Sequence, residues 1–120
     1  MRNEQTDPAY ILDIFQAASD ICEFTKDINP TVYLKDKKLR AAIERKLEIV
    51  GEAAGKMSET FRNAHQEIPW RPMISLRNVI AHDYGDIKHE KIWEIVSQKI
   101  PELVLLLKPF LPEITHENQD

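Results

Sequence analysis

The chain predicts an all-α fold, an antiparallel up-down four-helix bundle with an extra short C-terminal helix, and three observations carry that reading. Apolar residues recur at helical spacing over most of the length. Strand-like alternations of Val, Ile and Thr are missing, while Leu, Ile, Ala, Glu and Lys abound. Only three glycines punctuate the 120 residues. An apolar content of 42% and a charged content of 30% suit one hydrophobic core, so residues 1–120 are read as a single domain.

Helix one is expected to open at Asp7-Pro8, with Asp as cap and Pro in the first helical position. Its apolar stripe is Ile11, Ile14/Phe15, Ala18, Ile21/Cys22 and Thr25, and Asn29-Pro30 lies in the connection that ends it. The second helix is expected to be long. Leu39, Ile43, Leu47, Val50, Ala54, Met57 and Phe61 follow one another at steps of three and four. Gly51 and Gly55 fall inside it, where each costs about 1 kcal/mol relative to Ala; with Ala54 and Ser58 they form a smooth strip suited to close approach of another helix. Residues 62–68 read as a polar connection. A third helix is expected from Pro69 or Pro72 through Met73, Ile74, Leu76, Val79, Ile80 and Ala81, with Gly85 placed to end it. The fourth helical region starts near Ile87 and continues to Phe110; Pro101 is expected to break or kink it, and Pro109 and Pro112 to stop it.

Several classes of function are excluded or disfavoured at once. Cys22 is the one cysteine, so no intrachain disulfide and no Cys/His zinc cluster can be written; on its apolar stripe it reads as a small core residue. His65, His89 and His116 lie apart, without metal-ligand spacing, and read as surface histidines. Trp70 and Trp93 read as packing anchors. The N-terminus lacks the apolar core of a signal peptide, and the longest apolar run, Leu103 to Leu107, is too short to span a bilayer, so a cytoplasmic protein is expected. A net charge of −4 argues against a broad nonspecific nucleic-acid binder. The charge is uneven, however: Lys35, Lys37, Lys38, Arg40, Arg45 and Lys46 face only Asp36 and Glu44 in their stretch.

Chemistry concentrates in one place. Arg77, Asn78, His82, Asp83 and Tyr84 fall within eight residues near the end of the third helix. Arg supplies a fixed cationic fork for phosphate, and His both accepts and donates a proton near neutral pH. That pair suffices for metal-free RNA cleavage: a base activates the ribose 2′-hydroxyl, a cation stabilises the charge developing on phosphorus oxygens, and an acid protonates the leaving 5′-oxygen. Asn78 and His82 are four apart and share a helix face, whereas Arg77 and His82 are five apart and point about 140° from one another. Either Arg77 reaches round, or the helix loosens near His82, or a second copy of the segment completes the site. The same residues also have a purely structural reading, in which Arg and His satisfy the last carbonyls and Asn, Asp and Gly make the turn.

The octapeptide Arg77-Asn78-Val79-Ile80-Ala81-His82-Asp83-Tyr84 resembles the Arg-x4-His-x-Tyr motif of HepT-like proteins, a branch of the HEPN superfamily. Glu44 to Ala53 resembles that family's second-helix segment, Ile68-Pro69-Trp70 its lead-in, and Ile92-Trp93 with Ile100-Pro101-Glu102-Leu103 its closing helices, so the likeness covers about residues 7 to 110. The resemblance implies a bundle that forms a homodimer with the two motifs facing a shared cleft. It implies a metal-independent endoribonuclease toxin of a toxin-antitoxin system, needing no cofactor, cutting mRNA or tRNA and leaving 2′,3′-cyclic phosphate ends. Arg77 and His82 would be the catalytic pair, Asn78 would position substrate or orient the His, and Asp83 would support the site or cap. Tyr84 matches the position that a minimal nucleotidyltransferase (MNT) antitoxin adenylylates, with the homodimer or a larger toxin–antitoxin complex as the assembly; AMP there adds bulk and negative charge where an RNA phosphate must approach. A second expectation, of another class, is a noncatalytic HEPN module that docks the nucleotidyltransferase.

Overall fold

The computed structural model describes residues 6–82, 85 and 87–111. Among them every regular element is helical. In chain order these are α1 (Asp7–Phe24), α2 (Pro30–Lys35), α3 (Lys37–Lys56), α4 (Glu59–Ala64), α5 (Trp70–His82), α6 (His89–Glu94) and α7 (Ile100–Leu107). A π-helical turn, Ile95–Lys99, joins α6 to α7, and a 3-10 turn, Lys108–Phe110, follows. None of these helices is long and apolar enough to cross a membrane.

The central rod is α3, which packs against α5 and α1, while α1 also packs on α7. The predicted stripes are the surfaces that meet. Ile11, Ile14 and Ile21 of α1 are buried against Ile43, Leu47 and Val50 of α3, with Leu103 and Leu107 closing the core from α7. Each such side chain contributes about 1.5–3 kcal/mol on burial. Cys22 packs at the edge of this core, and burial pushes its thiol pKa up.

Several expectations are corrected. Asp7 does not cap α1; Thr6 occupies the cap position without a side-chain bond, and Asp7 is the first helical residue. The carboxylate of Asp7 instead accepts from the Ser58 backbone N–H at 2.9 Å and from the Ser58 hydroxyl at 2.6 Å.

The expected long second helix ends at Lys56. Met57 and Ser58 are extended (ψ 147° and 148°), and Ser58 caps the separate helix α4 by accepting from the Phe61 N–H at 3.1 Å. Ser at a helix start competes with continuation of the preceding turn, and Asp7 holds it there. The period survives the break because Met57 remains buried and Phe61 still packs on the core.

The Asn29-Pro30 connection holds an unforeseen helix, α2, capped by Asn29 Oδ1, which accepts from the Val32 N–H at 2.9 Å. Tyr33 of α2 is fully buried, its ring 5.1 Å from that of Trp93. Gly85 is placed to end the stretch after α5, but Asp83 and Tyr84 lie outside the described residues; its own φ is not positive.

The break expected at Pro101 is softer than a kink. The Ile100 N–H bonds to the Ile95 carbonyl, five residues back, so a wide turn precedes the residue that has no N–H to give. Trp70 is buried and its indole N–H donates to the His65 carbonyl at 3.0 Å, the anchoring role expected of it. The basic stretch divides its work. Arg40 donates to the Leu34 carbonyl at the end of α2, Lys46 pairs with Asp20 at 2.8 Å and Arg45 with Glu48 at 3.1 Å, while Lys35, Lys37 and Lys38 are exposed.

Candidate active site

Helix α5 carries the polar cluster, and its packing decides what each residue can reach. Pro69 leads in, its carbonyl accepting the Met73 N–H at 3.2 Å. Met73 and Ile80 turn inward and are buried; Asn78 and His82 lie on the outer face and are exposed. The helix stays α-helical through His82, so no loosening of its described turns swings that imidazole towards Arg77.

Arg77 sits at the α3–α5 contact, made possible by Gly51. A Cβ placed on Gly51 would lie 2.2 Å from Arg77 Cβ and 2.8 Å from the Met73 carbonyl oxygen. The smooth strip seen in the sequence therefore has a specific partner, the stem of Arg77. Gly55, one turn on, is looser; a Cβ there would be 3.9 Å from Ile74 Cγ1, an ordinary contact.

Held by its stem, the Arg77 guanidinium reaches back along α3. Its Nη2 lies 3.3 Å from Glu52 Oε2, and Nη1 donates to Asn78 Oδ1 at 3.4 Å. Arg77 Nε is buried without a hydrogen-bond partner among the described residues. The side chain is 31% exposed and that of Glu52 is 44% exposed. So open a pair contributes at most about 1 kcal/mol to stability; its consequence is orientation. Around it lies a groove of about 440 Å³ lined by Gly51, Glu52, Gly55, Lys56, Arg77 and Asn78.

Arg77 and Asn78 are thus brought together. No hydrogen bond or ion pair joins Arg77 to His82 among the described residues, and the Arg stem does not reach round to it. Asp83 and Tyr84 lie outside the described residues. Glu52 was not foreseen as a site residue, since a carboxylate beside a mid-helix glycine carries no signal until the partner helix is known.

A second polar group lies between α3 and α6. His89 Nδ1 is 3.6 Å from Glu44 Oε2, and the Glu44 side chain is 13% exposed. Burial raises the Glu44 pKa; His89 and Arg40 pull it back and Glu48 adds to the rise. His89 is therefore not a free surface residue. Nor is His65, whose ring stacks at 4.4 Å on Phe61 and 4.5 Å from Phe110. His116 lies outside the described residues.

Fold and site define an all-helical bundle bearing an Arg-x4-His segment on the helix that crosses its central rod. Residues 14–110 match the HepT-like family, described as "Ribonuclease HepT-like", and the chain belongs to that family. It is 36% identical over 112 residues to "Putative RNase MJ0127" of Methanocaldococcus jannaschii, covering 93% of each chain. It is 39% identical over 94 residues to "Probable ribonuclease HepT" of Thermococcus cleftensis, covering 78% of this chain and 86% of that one. A third relative, "Putative RNase TTE0752" of Caldanaerobacter subterraneus, is 33% identical over 107 residues, 89% of this chain and 96% of that one. No solved structure matches significantly.

Proposed function

We propose that this protein is a metal-independent endoribonuclease toxin whose site is completed by two subunits, Arg77 and His82 being the catalytic residues. The observation that carries the reading is the setting of Arg77, whose cationic fork is oriented by Glu52 and Asn78 at the rim of an open groove. A guanidinium in that position exchanges a weak solvent-exposed pair for two charge-assisted bonds to a phosphodiester.

The 2′-hydroxyl loses its proton to an imidazole, its oxygen bonds to the adjacent phosphorus, and the bond from phosphorus to the 5′-oxygen breaks. The leaving oxygen takes a proton from an imidazolium, giving a 2′,3′-cyclic phosphate and a 5′-hydroxyl. Arg77 stabilises the charge on the pentacoordinate phosphorus oxygens, His82 moves the protons, Asn78 positions substrate and Asp83 supports the site. Because Arg77 is turned towards α3, the His82 that meets it comes from a second copy across a dimer cleft. A minimal nucleotidyltransferase encoded nearby silences the site by adenylylating Tyr84; co-expression should add AMP to wild type and not to Tyr84→Phe.

Subunit mixing tests the composite site. Arg77→Ala and His82→Ala proteins, each inactive alone, should regain RNA cleavage when co-refolded, because the mixed dimer holds one site with both residues intact. Activity absent from the mixture but present in wild-type homodimers overturns the shared site.

A further inference from the structure

The groove at Arg77 does not end there. Ile74 lines it and also lines a second, larger cavity of about 600 Å³ between α4 and the first turn of α5. The two therefore adjoin at Ile74. The second cavity presents Arg62 from the last turn of α4 and Arg71 from the first turn of α5, with the side-chain amides of Asn63 and Gln66 beside them.

Charge along this path is opposite to that of the chain. Lys56, Arg62, Arg71 and Arg77 line it against the carboxylates Glu52 and Glu59, and Glu52 is already paired with Arg77. The whole protein carries 20 acidic and 16 basic residues. Among the described residues no ion pair or side-chain hydrogen bond engages Lys56, Arg62 or Arg71, whereas Arg40, Arg45 and Lys46 elsewhere are each tied to a neighbour. These three cations are therefore available to an outside anion.

Helical spacing sets the direction. Arg71, Ile74, Asn78 and His82 follow at steps of three, four and four, so they share one stripe of α5. A chain lying along that stripe passes from Arg71 over Ile74 to Asn78 and His82, with Arg77 at its flank. A small anion would occupy one lobe; a row of cations through both lobes suits a polyanion, and a cationic groove that tracks the backbone is how single strands are held.

We infer that this pair of adjoining grooves is the binding track for the single-stranded RNA flanking the scissile phosphate, with Lys56, Arg62 and Arg71 contacting successive backbone phosphates and Asn63 and Gln66 facing the sugars and base edges. The inference rests on the ribonuclease reading only for which end of the strand is cut; the track itself is a binding surface and is tested by binding.

The test measures fluorescence anisotropy of a labelled single-stranded RNA of about 16 nucleotides, the upper end of the usual single-strand site sizes, in EDTA on the full-length Arg77→Ala protein so that the strand survives. Arg62→Glu/Arg71→Glu in that background should weaken binding at least tenfold, and the neutral pair Arg62→Gln/Arg71→Gln should weaken it less. The neutral pair should also flatten the dependence of log K on log salt by about 0.7 per lost phosphate contact. Lys91→Glu/Lys99→Glu makes the same change in net charge on an exposed surface elsewhere and should move binding less than twofold. Equal weakening by both charge reversals, or unchanged binding in both Arg62/Arg71 variants, overturns the track, as does failure of the parent protein to bind RNA. Cleavage that survives His82→Ala overturns the ribonuclease site instead, and leaves the binding result standing.

Discussion

Gly51 and Arg77 face one another across the α3–α5 contact so closely that a single methyl on Gly51 would overlap the Arg77 stem, 2.2 Å from its Cβ. Two helices cross at that spot, and the residue trapped there is the one whose guanidinium looks into the groove. The backbone of α3 thus acts as the template for the Arg77 side chain.

Gly51→Ala should separate the helices and cost about 1–3 kcal/mol, the usual penalty for overpacking. Gly55→Ala meets only an ordinary contact at 3.9 Å and should raise stability by up to about 1 kcal/mol through helix propensity. Urea denaturation of the two variants checks the opposite signs.

Glu52→Ala should change stability by less than about 1 kcal/mol, because its pair with Arg77 is largely open to solvent. Cleavage should fall about tenfold in kcat/KM as Arg77 loses its orientation, and Glu52→Gln should retain part of it. Steady-state kinetics beside a melting curve separates the two effects.

Ser58→Ala removes the cap of α4 and the hydroxyl that donates to Asp7. A loss of about 1–2 kcal/mol is expected. Asp7→Ala, which spares the Phe61 contact, should cost less; the order of the two midpoints in denaturant is the readout.

Burial raises the Glu44 pKa above that of an unfolded glutamate. A carboxyl raised on folding favours the protonated form, so its unfavourable contribution is absent below the unfolded pKa and grows as pH rises through the folded value. Glu44→Gln should therefore melt higher than wild type at neutral pH, and the gap should shrink as pH falls into the carboxylate range. Melting curves between these limits decide it; a gap that widens in acid would show that the ion pair with His89 outweighs burial.

Much of this was legible in the sequence, because periodicity reports burial directly. The stripes of α1 and α3, the anchor Trp70 and the close approach at Gly51 all follow from spacing and side-chain size. The break at Met57–Ser58 was hidden because the apolar period runs through it unchanged, and its cause, Asp7, is 51 residues away in the chain. Helix α2 was masked by Asn29-Pro30, a pair that ends one helix and starts the next with equal ease. In the site, the five-residue separation of Arg77 and His82 showed that they diverge on a regular helix. It left open whether the stem reaches round or the helix loosens, which the course of α5 and the pair with Glu52 decide. The grip of Glu52 on Arg77 could not be read from spacing, since it depends on which helix lies across the strip.

The most direct measurement is the cleavage of total RNA by the purified protein in EDTA, wild type beside His82→Ala, with the new ends analysed. Wild type should yield 2′,3′-cyclic phosphates and the variant none; cleavage that persists in the variant, or that requires added metal, would contradict the assignment.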